Sequence, residues 1–353
     1  MLRREPDPAS SLIPGSTSSS SPTTQSAHPW AGLIAAARRF GRRRRGPITV
    51  VASLATAAVL VILLGGRRDQ FVAALSAACA WVLAATVLLQ IVALVARSEA
   101  WHLTIGAAGG TVDRRVLYRA SSMQVLGGVV NGQLGVAARI AALRRSSPAV
   151  SPQVPTLVAA EFPILAVEAV LAALASFTLV APLDLPWWLP LLGVALVGAV
   201  SAGLRHLAVR KGRELWSGLA VLRSLNGGSR VVGFVLVAVF AQILRNWLLL
   251  RAVGVDASVF DATAVLIAVV TLGQLPVGPS VGAAAAVLIL GSLGVAAAAA
   301  AGVLMTVTGT VGGLCFAAWA GGDRLWSAGR QAALRRARAR RTHTPTRGDT
   351  SKT

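Results

Sequence analysis

Glu161 and Glu168 lie seven residues apart in one apolar run, and Arg139 and Arg245 stand inside or beside apolar runs of their own. A charge at the centre of a membrane helix costs about 2.5 to 3.5 kcal/mol on insertion scales, so such residues are seldom kept without a use. A spacing of seven is two helical turns, which puts both carboxylates on one helix face. The planar fork of arginine takes phosphate oxygens two at a time. The two arginines suit a phosphate, and the two glutamates are candidates to line the same cavity. Each also has a plainer role, since the arginines can snorkel to an interface and either glutamate can sit protonated against a neighbouring helix.

Two further stretches bear on the same chemistry. Residues 127–135 read GGVVNGQLG and residues 273–282 read GQLPVGPSVG, both inside apolar chain. Backbone that leaves helical geometry within a bilayer strands N–H and C=O groups, which is tolerated only where it is buried in protein or faces a wet cavity. Paired Gly/Pro-interrupted segments in two inverted halves are the sequence pointer to a transporter's midplane site. The expected substrate-binding set is therefore Gly127, Asn131, Gly132 and Gly135 in the first stretch, Gly273, Pro276, Gly278, Pro279 and Gly282 in the second, with Arg139, Glu161, Glu168 and Arg245. The competing reading is that these glycines only let helices approach closely.

The elements that must position these residues are membrane helices. Of the 353 residues 55% are apolar and 13% charged, against about 25% charged in a soluble domain. There are 34 Lys+Arg against 13 Asp+Glu. The arginines flank long apolar runs and do not line an amphipathic, aromatic-studded surface, so they mark membrane orientation and not nucleic-acid binding. Cys79 and Cys315 lie inside apolar runs and suggest neither a disulfide nor a metal site. Six runs reach the about 20 residues a hydrocarbon core requires: 48–66, 71–96, 152–181, 187–208, 231–250 and 295–319. Two shorter patches, 116–143 and 261–294, contain the quoted stretches and are broken into arms too short to span comfortably.

If both patches return to the side they entered from, thirty basic residues fall on one face, leaving Arg67, Arg68, Arg245 and Arg251 elsewhere. The positive-inside rule then places both termini in the cytoplasm. The expected fold is an all-α polytopic membrane protein with about six transmembrane helices plus two re-entrant or hairpin elements in an inverted repeat. Its parts are a disordered basic N-terminus (1–47), a first membrane repeat (48–181), a second (187–319) and a disordered Arg-rich tail (320–353). Trp101, Gly127 and Gly132 map onto Trp247, Gly273 and Gly278 at an offset of 146, a weak echo of the repeat.

The run R97-S-E-A-W101, the stretch N131-G-Q-L-G-V-A-A-R139 followed by L143-R-R, and L275-P-V-G-P-S-V-G282 with L290-G-S-L-G-V295 resemble the membrane region of lysylphosphatidylglycerol synthases and their stand-alone, flippase-like relatives. The resemblance covers residues 50–320 and implies movement of an anionic lipid between leaflets of the bacterial cytoplasmic membrane. The family's soluble synthase domain is not expected, because only 34 residues follow Trp319. Gln133 stands where the family usually has Pro, Val136 where it has an acid, and Gly282 is followed by three alanines, so both hairpin carboxylates are missing. Glu161 and Glu168 are the candidate replacements. No Ser/His/Asp set, His-rich metal spacing or phosphate-cradling loop is present, so no catalytic residue, metal or cofactor is expected. The expected partner is an anionic membrane lipid, with no nucleic acid; a homo-oligomer and an envelope-enzyme partner both stay open.

Overall fold

The computed structural model describes residues 58, 59, 62, 65–128, 132–146, 154–211, 225–273 and 281–342. Among these every regular element is a helix. Four described helices are long and apolar enough to cross a membrane: Ala80–Ala107, Thr156–Leu179, Gly227–Ala252 and Val295–Gly322. The expected N-terminal segment 1–47 lies outside the described residues, as does nearly all of the expected first span at 48–66.

Helix α1 (Arg68–Ala77) is divided from α2 (Ala80–Ala107) by Ala78 and Cys79, whose ψ angles of 110° and 141° are extended. The expected span at 71–96 is thus corrected: apolar character is continuous there, but the backbone is not. Phe71, Ala74 and Leu75 of α1 pack into a core that also holds Ala298, Ala300 and Ala301, and the spanning helix starts afresh at Ala80. Two short helices follow, α3 (Arg114–Gly128) and α4 (Gly132–Ser146), packed on each other. Then come α5 (Val154–Ala159) and α6 (Phe162–Ala175), which with a 3-10 turn at Ser176–Leu179 make up the second long span. Pro163, in the first turn of α6, has no N–H to give, and the Glu161 N–H bonds the Val158 carbonyl at 3.1 Å in a tightened turn.

Helix α7 (Leu189–Lys211) covers the expected span at 187–208, but its apolar part, Leu189–Gly203, is shorter than a crossing needs. Helix α8 (Leu225–Ala252) is followed by α9 (Val259–Leu272), α10 (Val281–Leu290) and α11 (Val295–Thr342). The expected disordered tail is corrected over residues 320–342, where α11 continues without interruption. Ala, Arg, Gln and Leu dominate that segment, and all are strong helix formers.

Helices α2 and α8 are both 28 residues long and begin 145 residues apart. Each ends on a glycine with positive φ, Gly109 (83°) and Gly254 (84°), again 145 apart. In the first, Gly110 N–H bonds Ile105 O at 3.0 Å and Gly109 N–H bonds Gly106 O at 3.1 Å; in the second, Val255 bonds Leu250 and Gly254 bonds Arg251 at the same distances. These paired bonds satisfy the last carbonyls of each helix in a Schellman motif. The next helix starts at equivalent positions too. Asp113 accepts from Arg115 N at 2.7 Å, and Ser258, 145 residues later, caps α9 in a capping box with Asp261.

The two long helices run antiparallel. Ala100, Trp101 and Ile105 near the end of α2 share a core with Val231 and Val235 near the start of α8. Leu83 near the start of α2 packs against a second core with Leu249 and Leu250 at the end of α8. The pair α3/α4 belongs to the first core through Leu117, Ala120 and Leu143. The pair α9/α10 belongs to the second through Ala262, Val265, Ala286 and Leu290.

Helix α11 ties the two cores together through small residues. A Cβ on Gly282 of α10 would come within 2.6 Å of the Gly302 carbonyl oxygen. Gly309 meets the Arg245 guanidinium, Gly312 meets Gln90 and Val87 of α2, and Gly313 meets Val125 of α3. Four other helices therefore seat against notches along one helix, the packing mode membrane interfaces favour when no water drives burial.

Candidate functional site

Four charged side chains meet where α2, α4 and α6 converge. Arg139 of α4 is 1% exposed and forms an ion pair with Glu161, at the start of α6. Its guanidinium lies over the Trp101 ring of α2, 3.8 Å from the centroid, a cation–π contact that is strongest away from water. Arg97, one turn before Trp101, reaches Glu168 with Nη1···Oε1 2.9 Å and Nη2···Oε2 3.1 Å. This is the two-pronged geometry that arginine and a carboxylate form together. Glu161 is buried, whereas Arg97 and Glu168 are partly exposed. The set has two positive and two negative charges, so it is neutral as a whole.

The surroundings are apolar. Ile164, Leu157, Leu143, Leu117 and Val231 are fully buried beside Trp101. Leaving a charge there without its partner is expensive, because desolvation removes several kcal/mol that only a well-placed counter-charge restores. Arg139 Nε and Trp101 Nε1 are buried with no hydrogen-bond partner. The site thus holds donor capacity that the protein itself does not use.

Arg245, in the second half of α8, has a different environment. Its Nη1 donates to Gln90 Oε1 at 2.6 Å and Gln242 Oε1 at 2.8 Å, and Nη2 donates to the Met305 carbonyl of α11. Gln242 Nε2 donates in turn to Gln90 Oε1 at 2.8 Å. Arg245 is 7% exposed, and every acceptor it is given is neutral. It joins α2, α8 and α11 through these bonds, and it does not snorkel to an interface.

The thirteen expected site residues fall into groups. The structure brings Arg139, Glu161 and Glu168 together and leaves Arg245 in a separate cluster. Asn131, Pro276, Gly278 and Pro279 lie outside the described residues. Gly127 is in the last turn of α3, Gly132 opens α4, and Gly273 follows the end of α9. Gly135 and Gly282 are packing glycines: a Cβ on Gly135 would come within 2.6 Å of the Gln124 carbonyl oxygen of α3, as one on Gly282 would for Gly302. At these two positions the expectation of cavity lining gives way to close backbone approach.

Reading the residues alone missed Arg97, Trp101, Gln90 and Gln242 as members of the polar clusters. Gln90 and Gln242 could have been found as amides inside apolar runs, which in membranes mark helix–helix contacts. Arg97 lies at the end of an apolar run, where a topological role masks any other. Among the described residues no group of three or more His, Cys, Asp or Glu is placed to hold a metal ion.

Between α2 and α3, Tyr118 donates to Glu99, and Arg114 stands 3.6 Å from the same carboxylate. Tyr118 also packs with Phe316 and Trp319 of α11. These contacts fasten α3 to α2 and α11 beside the charged set. Comparison with protein-family models, curated proteins and solved structures finds no match for this chain.

Proposed function

We propose that this chain is a non-enzymatic membrane protein that moves an anionic, phosphate-bearing lipid between the leaflets of a bacterial cytoplasmic membrane. In this reading the two halves form an inverted repeat, both termini are cytoplasmic, and α3/α4 and α9/α10 are hairpins that return to the face they entered from. The observation that carries it is Arg139: a fully buried arginine, seated on Trp101 and neutralised by Glu161 from another helix, with its Nε–H buried and unpartnered. A guanidinium already desolvated and already paired with an oxyanion can exchange that partner for a phosphate of similar geometry. The antiparallel α2 and α8, with cap motifs at one constant spacing, support two structurally equivalent halves of opposite direction. The resemblance to the lysylphosphatidylglycerol synthase membrane region agrees with this substrate class, and Glu161 and Glu168 stand in for the hairpin carboxylates that the chain lacks.

Reconstitution into liposomes carrying fluorescent lipids tests the reading. Active protein should expose inner-leaflet probe to a membrane-impermeant quencher, and Arg139→Ala should abolish the effect. Traces identical to those of empty vesicles across phosphatidylglycerol, phosphatidylethanolamine and phosphatidylcholine probes would refute it.

A second reading, a non-transporting scaffold for an envelope-lipid enzyme, is favoured by one observation: Gly135 and Gly282 serve close packing, not a chamber. A scaffold would keep its partner and its place in the membrane after loss of Arg139, Glu161 and Arg245; a translocator would lose activity.

A further inference from the structure

Resting on the reading of the Arg139 site as a seat for a phosphate headgroup, we infer that Glu161 couples the arrival of a phosphodiester anion to the uptake of one proton. The argument is one of charge balance. Arg139 and Glu161 are both buried and pair only across α4 and α6. A phosphodiester that takes the guanidinium displaces the Glu161 carboxylate from its counter-charge. Glu161 is only 7% exposed and its chain neighbours Leu157, Ala160 and Ile164 are fully buried, so a displaced carboxylate gains little hydration. A stranded buried carboxylate costs several kcal/mol, whereas the neutral acid buries at modest cost. One proton from solvent, bound to a Glu161 oxygen, closes the balance: an anion and a proton enter together, and the net charge of the site is unchanged.

Arg97 and Glu168 form a separate, two-pronged pair and are partly exposed, so the burial argument made for Arg139 and Glu161 does not extend to them.

The other charged groups near the site are already engaged or turned away. On α2, Glu99 accepts from Tyr118 and lies by Arg114, and His102 Nε2 is 3.2 Å from Val112 O. On α3, Arg119 donates to Ala320 O at 3.1 Å. On α4, Arg144 and Arg145 are exposed in the last turn. Helix α8 brings Val231 and Val235 to this core, while its Arg230 is exposed. Glu161 is thus the group whose charge must change when Arg139 changes partner.

The test is calorimetric titration of the full chain in detergent with short-chain phosphatidylglycerol, and in parallel with dimethyl phosphate, which carries the same anion without acyl chains. Neither ligand titrates between pH 6 and 9, so a pH dependence belongs to the protein. Wild-type protein should take up one proton per anion, read from the difference in heat between two buffers of unequal ionisation enthalpy. Its affinity should fall about tenfold per pH unit on the alkaline side, the slope that one linked proton gives. Glu161→Gln should bind at high pH as tightly as wild type at low pH, with the slope gone. Glu99→Gln should keep the wild-type slope.

Binding of phosphatidylglycerol but not dimethyl phosphate assigns the site to a lipid and equal binding assigns it to the headgroup alone; either one, accompanied by uptake of one proton, supports the coupling. Binding without proton uptake by wild type overturns the coupling while leaving the headgroup seat in place, and this measurement does not depend on any variant folding. No binding of either ligand at any pH refutes the seat and the coupling together.

Discussion

At the scale of single residues, Arg139 and Glu161 are the sharpest case of mutual dependence. Arg139→Ala strands a buried carboxylate and should cost about 3 to 5 kcal/mol, the usual result of removing one member of a buried pair. The double replacement Arg139→Met with Glu161→Leu should recover most of that loss, since an apolar pair of similar volume carries no desolvation penalty. Unfolding in mixed micelles, read by far-ultraviolet circular dichroism, measures both. Arg139→Lys should fall between them, because an ammonium neither stacks flat on Trp101 nor forks onto a carboxylate. Arg245 obeys another logic. Its acceptors are two glutamine oxygens and a carbonyl, so Arg245→Met leaves dipoles and not a charge unpaired. The expected loss is about 1 to 3 kcal/mol, and the same unfolding assay should rank it below Arg139→Ala. The charged residues themselves were legible as costly to bury. Their pairing was not, because 22 to 71 residues of chain separate partners that only packing brings together.

At the scale of elements, helix ends and helix crossings carry separate predictions. Gly109 and Gly254 close α2 and α8 in a left-handed conformation that costs any other residue about 1 to 2 kcal/mol. Gly109→Ala and Gly254→Ala should each lower thermal stability by that order. Gly282 and Gly302 are limited by space: a Cβ on either strikes the other's helix. Gly282→Val and Gly302→Val should each cost about 1 to 3 kcal/mol through forced separation of α10 from α11. Gly198 of α7 has open space around it, so Gly198→Val should leave the melting temperature unchanged in the same thermal scan. The glycines were legible as interruptions. Whether an interruption serves a cavity or a crossing depends on what lies opposite, and for Gly135 and Gly282 that is another backbone.

At the scale of the whole molecule, the antiparallel α2 and α8 put the two capped loops after them at opposite ends of the bundle. In the proposed membrane orientation, Thr111 is cytoplasmic and Asp256 faces out. With Cys79 and Cys315, both exposed, replaced by serine, Thr111→Cys should be labelled by an impermeant maleimide in inverted vesicles, and Asp256→Cys in intact cells. Labelling of both from one side would break the inverted arrangement. A related expectation concerns α11, which continues helical beyond the apolar span ending at Gly322. In the proposed orientation the charge rule puts this arginine-rich end on the cytoplasmic face, so protease added to intact cells should leave a C-terminal epitope tag uncut.

Sequence by itself determined that this is an all-helical chain with apolar helices suited to a bilayer, because hydropathy and charge placement are local properties that need no partner. It also marked where the two short helical pairs would lie. The spacing of 146 read from Trp101, Gly127 and Gly132 misses by one residue the 145 at which the starts and caps of α2 and α8 recur. Tertiary structure decided the break at Ala78–Cys79, the split of the polar residues into one ionic and one neutral cluster, and the part played by Arg97 and Trp101. Those are set by which faces of distant helices meet, and the energy of a buried charge depends on the group opposite it far more than on its neighbours in the chain.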